Sequence, residues 1–140
     1  MAEISGRCLC GAVTWVTPGP VLWAGHCHCA SCRRATAAPF TSFFGVPRNS
    51  VVWTGDLAAY ATSGGKVLRK FCPACGTQMT YQFAGWPDET HLYAATMDAP
   101  AKFEPKAHFH YAERLAWVKL NDELPRYPGS AENTEPLTGK

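Results

Sequence analysis

Apolar and polar residues alternate along much of the chain with the two-residue period of β-strands. Residues 77–83, TQMTYQF, alternate strictly, which predicts a strand with Met79, Tyr81 and Phe83 on one face and Gln78, Thr80 and Gln82 on the other. Runs rich in β-branched and aromatic residues recur as GAVTWVT, FTSFFGV, SVVWTG, KVLRKF, HLYAATM, HFHYA and LAWVKL. Turn signals separate them: PGP at 18–20, PRN at 47–49, SGG at 63–65 and PDE at 87–89. Such short, regular spacing predicts a mainly β fold of antiparallel meanders or a small sandwich, not βαβ units. One segment differs. ASCRRATAA, residues 30–38, tolerates helix and is closed by Pro39, so a short helix is expected from about Ala30 to Ala38. From Pro128 the chain is polar and rich in Pro and Gly, which predicts a loose tail, 128–140, behind a single domain, 1–127. Phe40, Phe43, Phe44, Trp53, Tyr60 and Trp117 are assigned to the core, and Trp86, in the polar GWPDE turn, to the surface.

Composition narrows the chemistry. At 140 residues and 46% hydrophobic, the chain can bury a core without disulfide staples. No apolar run approaches the ~20 residues of a membrane span. The N-terminal stretch MAEISGRCLCG lacks the basic start and apolar run of a secretory signal. A cytoplasmic, reducing location is therefore expected. Seven cysteines stand at 8, 10, 27, 29, 32, 72 and 75. An odd number, tightly clustered, points to metal ligation rather than to a disulfide framework. The formal charge of +2 falls to −1 once seven thiolates and two divalent ions are counted. With no basic block longer than Arg33-Arg34, the chain is poorly suited to nucleic acid.

The thiols divide by their surroundings. Cys8-Leu9-Cys10-Gly11 and Cys72-Pro73-Ala74-Cys75-Gly76 each end in Cys-Gly. Glycine there permits a left-handed turn that aims backbone N–H groups at sulfur. Together they supply four thiolates, a closed tetrahedron, and clip positions 62 residues apart. That pattern predicts a structural zinc site at Cys8, Cys10, Cys72 and Cys75. Cys27, Cys29 and Cys32 have no such glycine and lie where the helix begins, a setting that favours thiolate. Three protein ligands with one exchangeable position is the arrangement of catalytic zinc. An iron–sulfur cluster usually takes four cysteines and fits less well.

The histidines and arginines near these cysteines are open to two readings. In an extended segment His28 points away from the metal, and His26 reaches it only through a tight turn. His108 and His110 would share one strand face, either as packed histidines or as a supporting partner or proton carrier. His91 is placed at a strand edge. Arg33 and Arg34 are either a solvated helix face or a grip for a substrate carboxylate, with at most one facing the metal.

GRCLCGAV, CHCASCRRATAAPF and FCPACGT, in that order, resemble the glutathione-dependent formaldehyde-activating enzyme family, whose domain is shared with centromere protein V. With the later AHF and LAWVKLNDELPRY segments the resemblance covers most of residues 5–127. It implies a small, tent-like β fold with two zinc ions. Cys8, Cys10, Cys72 and Cys75 would hold the structural ion, and Cys27, Cys29 and Cys32 the catalytic one. It also implies carbon–sulfur lyase chemistry with glutathione as co-substrate, forming or cleaving S-(hydroxymethyl)glutathione. Arg33, Arg34 and His108 are the residues then assigned to the substrate, a small thiol or aldehyde. A non-enzymatic zinc module like that of centromere protein V, or a lyase or dehalogenase acting on another small molecule, is the alternative. Two positions depart from the family pattern. Ala37 stands where glycine is common, and Ala116 where proline often precedes the tryptophan.

Overall fold

The computed structural model describes residues 3–130. Ten strands and one α-helix follow in chain order: β1 (Ile4–Arg7), β2 (Thr14–Thr17), β3 (Trp23–Cys27), α1 (Ala30–Thr36), β4 (Thr41–Pro47), β5 (Val52–Thr54), β6 (Ala58–Thr62), β7 (Val67–Phe71), β8 (Gln78–Phe83), β9 (Glu89–Tyr93) and β10 (His108–Phe109). The fold is mainly β, with a single α-helix among the described residues. Its backbone gathers into two compact units, each built from two stretches of chain.

The first unit comprises the chain up to Trp23 together with Phe44–Phe103. β1 pairs antiparallel with β2, and β2 with β5, while β6, β7, β8 and β9 form an antiparallel meander. Val13, Trp15, Val46, Met79 and Leu92 are fully buried here, each worth about 1.5–3 kcal/mol of transfer free energy. Gly6 lies opposite Trp15, and a Cβ on it would sit 2.4 Å from the indole, so the absent side chain lets the ring lie flat on β1. The alternation in β8 holds only in part. Met79 is buried, but so is Thr80, whose hydroxyl donates to the His91 carbonyl at 2.9 Å, because both faces of this strand are covered. His91 does not lie at an exposed edge. It is buried in β9, bonded to Glu89 at 2.6 Å and enclosed by Trp23, Tyr81 and Trp86, and burial lowers its pKa. Trp86 is accordingly half-buried, packed on Phe83 and His91, rather than exposed. Tyr60 is 64% exposed, because β6 is an outer strand.

The second unit comprises Ala24–Phe43 and the chain from Glu104 onward. β10 runs parallel to β3, with His108 opposite His26 and Phe109 opposite Cys27. Gly25 admits the Phe109 ring, which a Cβ would meet at 2.4 Å. LAWVKL forms no strand, and its Trp117 is 68% exposed rather than part of the core. His110 leaves the β10 face altogether, because its backbone turns left-handed (φ 53°, ψ 37°). The tail expected from residue 128 begins with bonded backbone: Gly129 and Pro128 accept from the N–H groups of His110 and Ala112. Residues 131–140 lie outside the described residues.

Candidate metal centres

In the first unit the two Cys-Gly segments fold alike. The N–H of Cys8 donates to Val13 O at 3.0 Å and that of Cys72 to Thr77 O at 2.9 Å, each closing a loop around its second cysteine. Gly11 and Gly76 have φ of 82° and 80°, a region costly to other residues. Cys8 Sγ lies 3.7 Å from Cys10 Sγ, and Cys10 Sγ lies 3.8 Å from Cys72 Sγ. A tetrahedron of zinc–sulfur bonds of about 2.3 Å separates its sulfurs by about 3.8 Å, so this spacing fits the ion. The Val13 N–H points at Cys8 Sγ, and the Thr77 hydroxyl lies 3.2 Å from Cys75 Sγ. That hydroxyl is foremost in lowering the Cys75 thiol to about 5, with backbone N–H groups assisting. Sequence reasoning missed Thr77, although it stands directly after the glycine of CPACG.

The second unit lays CxCxxC across three kinds of backbone. Cys27 ends β3, Cys29 caps α1 with extended φ and ψ, and Cys32 falls in the first turn. The Cys29 sulfur accepts the Cys32 N–H at 3.3 Å, the bond that a capping side chain makes at a helix start. Cys27, Cys29 and Cys32 thereby bring their ligand atoms within 4.8 Å of one another, as do Cys8, Cys10, Cys72 and Cys75 in the first unit. Hydrogen bonds from the Cys27 and Cys32 thiols lower Cys29 to about 2. Cys27, as donor to Cys29, is pushed strongly upward. Both clusters can therefore hold a metal ion: the first offers four thiols, the second three.

Behind the three thiols lies a buried polar array. His28 Nε2 is 2.8 Å from His108 Nδ1, and His108 Nε2 is 2.9 Å from Asp122 Oδ2. Arg126 donates to the same carboxylate at 3.1 Å and lies over the Tyr111 ring. His28, His108 and Arg126 are almost wholly buried. Because a carboxylate only accepts, His108 carries its proton on Nε2 and takes the His28 N–H at Nδ1. Burial, reinforced by the neighbouring His108, lowers both His26 and His28 to about 4, so both are neutral at pH 7. For Asp122, burial works upward but is outweighed by the bonds from His108 and the Leu124 N–H, leaving it below its usual value. His108 thus spends both ring nitrogens inside the protein and supports the cysteine loop from behind. Arg33 braces that loop, donating to His28 O at 3.3 Å and to Glu113 O at 3.4 Å, while Arg34 is exposed. Asp122, Arg126 and Glu113 escaped sequence reasoning: Glu113 meets Ala30 and Arg33 across 83 and 80 residues and Asp122 meets His108 across 14, while the short Asp122–Arg126 pairing lies in a segment with no regular element.

The model of the family described as "Glutathione-dependent formaldehyde-activating enzyme" matches residues 3–113, which include all seven cysteines. The chain belongs to this family. A Schizosaccharomyces pombe protein named as an uncharacterized lyase is 33% identical to this chain over 85 residues. That match covers 59% of this chain and 60% of the yeast protein, so the chain spans less than two thirds of that relative's length. A crystal structure of a Rhodobacter sphaeroides protein shares the fold, with a TM-score of 0.57 and 24% identity over 67% of this chain and 87% of the other.

Proposed function

We propose that the protein is a zinc-dependent carbon–sulfur lyase that makes or breaks a glutathione adduct of a small aldehyde, with S-(hydroxymethyl)glutathione as the first candidate. The observation that carries this reading is the division of seven thiols into a set of four and a set of three. Four thiolates saturate a tetrahedral ion and suit a structural site. Three leave one position to a substrate atom. A zinc ion held by Cys27, Cys29 and Cys32 would supply that exchangeable position and the positive charge that keeps a bound thiol ionised.

The chain's own residues do the rest. The backbone N–H groups of His26 and His28 donate to Ala107 O and Phe109 O, both at 2.9 Å, and so fix the strand that presents Cys27. The Asp122–His108–His28 array locks the residue between Cys27 and Cys29, so the three sulfurs hold their spacing when substrate enters. Arg33 is engaged with backbone carbonyls, which leaves the exposed Arg34 as the better placed guanidinium to meet a glutathione carboxylate. No helix of the described residues is long and apolar enough to cross a membrane.

The test is exchange NMR of formaldehyde with glutathione, with and without the zinc-loaded protein. Exchange faster than the spontaneous reaction, lost in Cys29→Ser, is the expected result. An unchanged rate would overturn the formaldehyde assignment. A protein that also leaves the spectrum of bound cobalt unaltered on thiol addition would overturn the lyase reading as a whole.

A further inference from the structure

β6 pairs with β7 along its whole length, from Ala58 opposite Phe71 to Thr62 opposite Val67. Among the described residues its other side meets no backbone. The outer strands of the smaller sheet in this unit are blunted by comparison. β5 is only three residues long, and β1 is bridged at Gly6 to Met97. β6 has no such device. Ala-Ala-Tyr-Ala-Thr carries no charge, no proline and no register shift against β7, and Ala59, Tyr60 and Ala61 are exposed. About 17 Å of strand edge therefore directs alternate N–H and C=O groups outward, a template for another strand.

One face of the meander sends a row of side chains to that edge. Tyr60 stands opposite Arg69 on β7, Arg69 opposite Tyr81 on β8, and Tyr81 opposite His91 on β9. Opposed residues share a face. The Arg69 guanidinium lies 4.9 Å from the Tyr81 ring centroid, and Tyr81 stacks on His91 at 5.4 Å. Arg69 and His91 are buried, whereas Tyr60, the last of the row, is 64% exposed.

A second copy of the chain matches this edge. A twofold axis at Tyr60 sets Ala58 against Thr62, Ala59 against Ala61, and the two Tyr60 side chains against each other. Every pair then joins residues of the same parity, so outward-directed backbone groups meet outward-directed groups over all five residues. Charge agrees with the antiparallel sense. Exposed Asp56 precedes the strand, and exposed Lys66 follows it beyond Gly64 and Gly65. Antiparallel pairing brings the acidic end of each copy to the basic end of the other, where parallel pairing would bring like to like.

We propose that β6 is a dimerisation edge, at which two copies of this chain join antiparallel through Ala58–Thr62, about a twofold axis at Tyr60, into one continuous sheet. The row of His91, Tyr81, Arg69 and Tyr60 then runs on into the same four residues of the second copy in reverse order. Each exposed Tyr60 gains an aromatic neighbour at the axis. Five residue pairs and one tyrosine contact bury less than an obligate dimer does, which sets the dissociation constant in the micromolar range. The proposal goes beyond the lyase reading and is independent of it, since no cysteine belongs to the paired segment.

The test is sedimentation equilibrium of the zinc-loaded full chain from about 1 μM to about 1 mM, with amide hydrogen exchange at both ends of that range. Wild type should follow a monomer–dimer equilibrium, and the amides of residues 57–63 should exchange about tenfold more slowly at the high concentration. Tyr60→Lys sets like charges together at the axis. It should weaken dimerisation about 30-fold and remove that protection, while the unfolding midpoint at low concentration holds because the position is exposed. Tyr60→Phe keeps the ring and should dimerise within about threefold of wild type. A wild type that stays monomeric throughout would overturn the proposal. So would association that continues beyond the dimer, or a dimer that Tyr60→Lys leaves intact.

Discussion

Ala37 and His110 are both held at positive φ, 54° and 53°, and both belong to the unit that carries the three thiols. Ala37 ends α1 with its N–H directed to Arg33 O, the left-handed cap that glycine fills without strain. Ala37→Gly should therefore raise stability by about 1 kcal/mol, read as a higher urea midpoint at unchanged slope. A lower midpoint would mean that the cap is not strained. His108→Leu should cost about 3 kcal/mol in the same assay, because it strands His28 Nε2 and removes one partner of Asp122. These two residues show what a sequence discloses. The left-handed positions at Gly11 and Gly76 were legible because glycine is the side chain such a turn selects. Ala37 drew notice only as a departure from family pattern. The His28–His108–Asp122 array left no local mark, since its members pair across 80 and 14 residues.

At the scale of elements, α1 is the piece on which the candidate site depends. It was expected to reach Ala38 and stops at Thr36, because the left-handed turn at Ala37 ends it before Pro39 can. Cys29→Ser should keep the helix cap, since a hydroxyl caps well, while lowering metal content from two ions per chain to one. Loss of both ions would show that the two clusters do not fill independently. β3 and β10 give a pH signature. His26 and His28 are held near 4 in the fold but titrate near 6.5 once unfolded. The unfolded chain therefore binds more protons as pH falls, and stability should decline from about pH 6.5 down to about 4, most steeply midway between the two. Asp122 extends the loss below that range, because its carboxyl is held below the unfolded value. Unfolding midpoints that stay flat between pH 7 and 4 would contradict the burial of these imidazoles. Strands rich in β-branched residues, such as β2, β4 and β9, were readable. ISGR, WAGHC and AAYAT were not, since Gly and Ala have little strand preference and only pairing makes them strands. LAWVKL carries the right residues and finds no partner strand.

For the molecule as a whole, the expectation is two metal ions of unequal lability. A chelator should strip the ion of the three-thiol cluster first, with little loss of secondary structure, and the four-thiol ion only together with unfolding of the first unit. Simultaneous loss, followed by circular dichroism and metal analysis, would count against the assignment of roles. Cysteine spacing made this much visible in advance, because metal ligation imposes short, regular intervals. What spacing could not reveal is that each unit is assembled from two separated stretches of chain. That interleaving gives synthesis a direction. As the polypeptide grows from its N-terminus, Cys27, Cys29 and Cys32 emerge about 90 residues before Asp122, which at ribosomal rates is roughly 5–18 s. Throughout that interval three closely spaced thiols stand without the histidine and carboxylate that later back them. The nascent chain is then at its most open to oxidants and to the wrong metal.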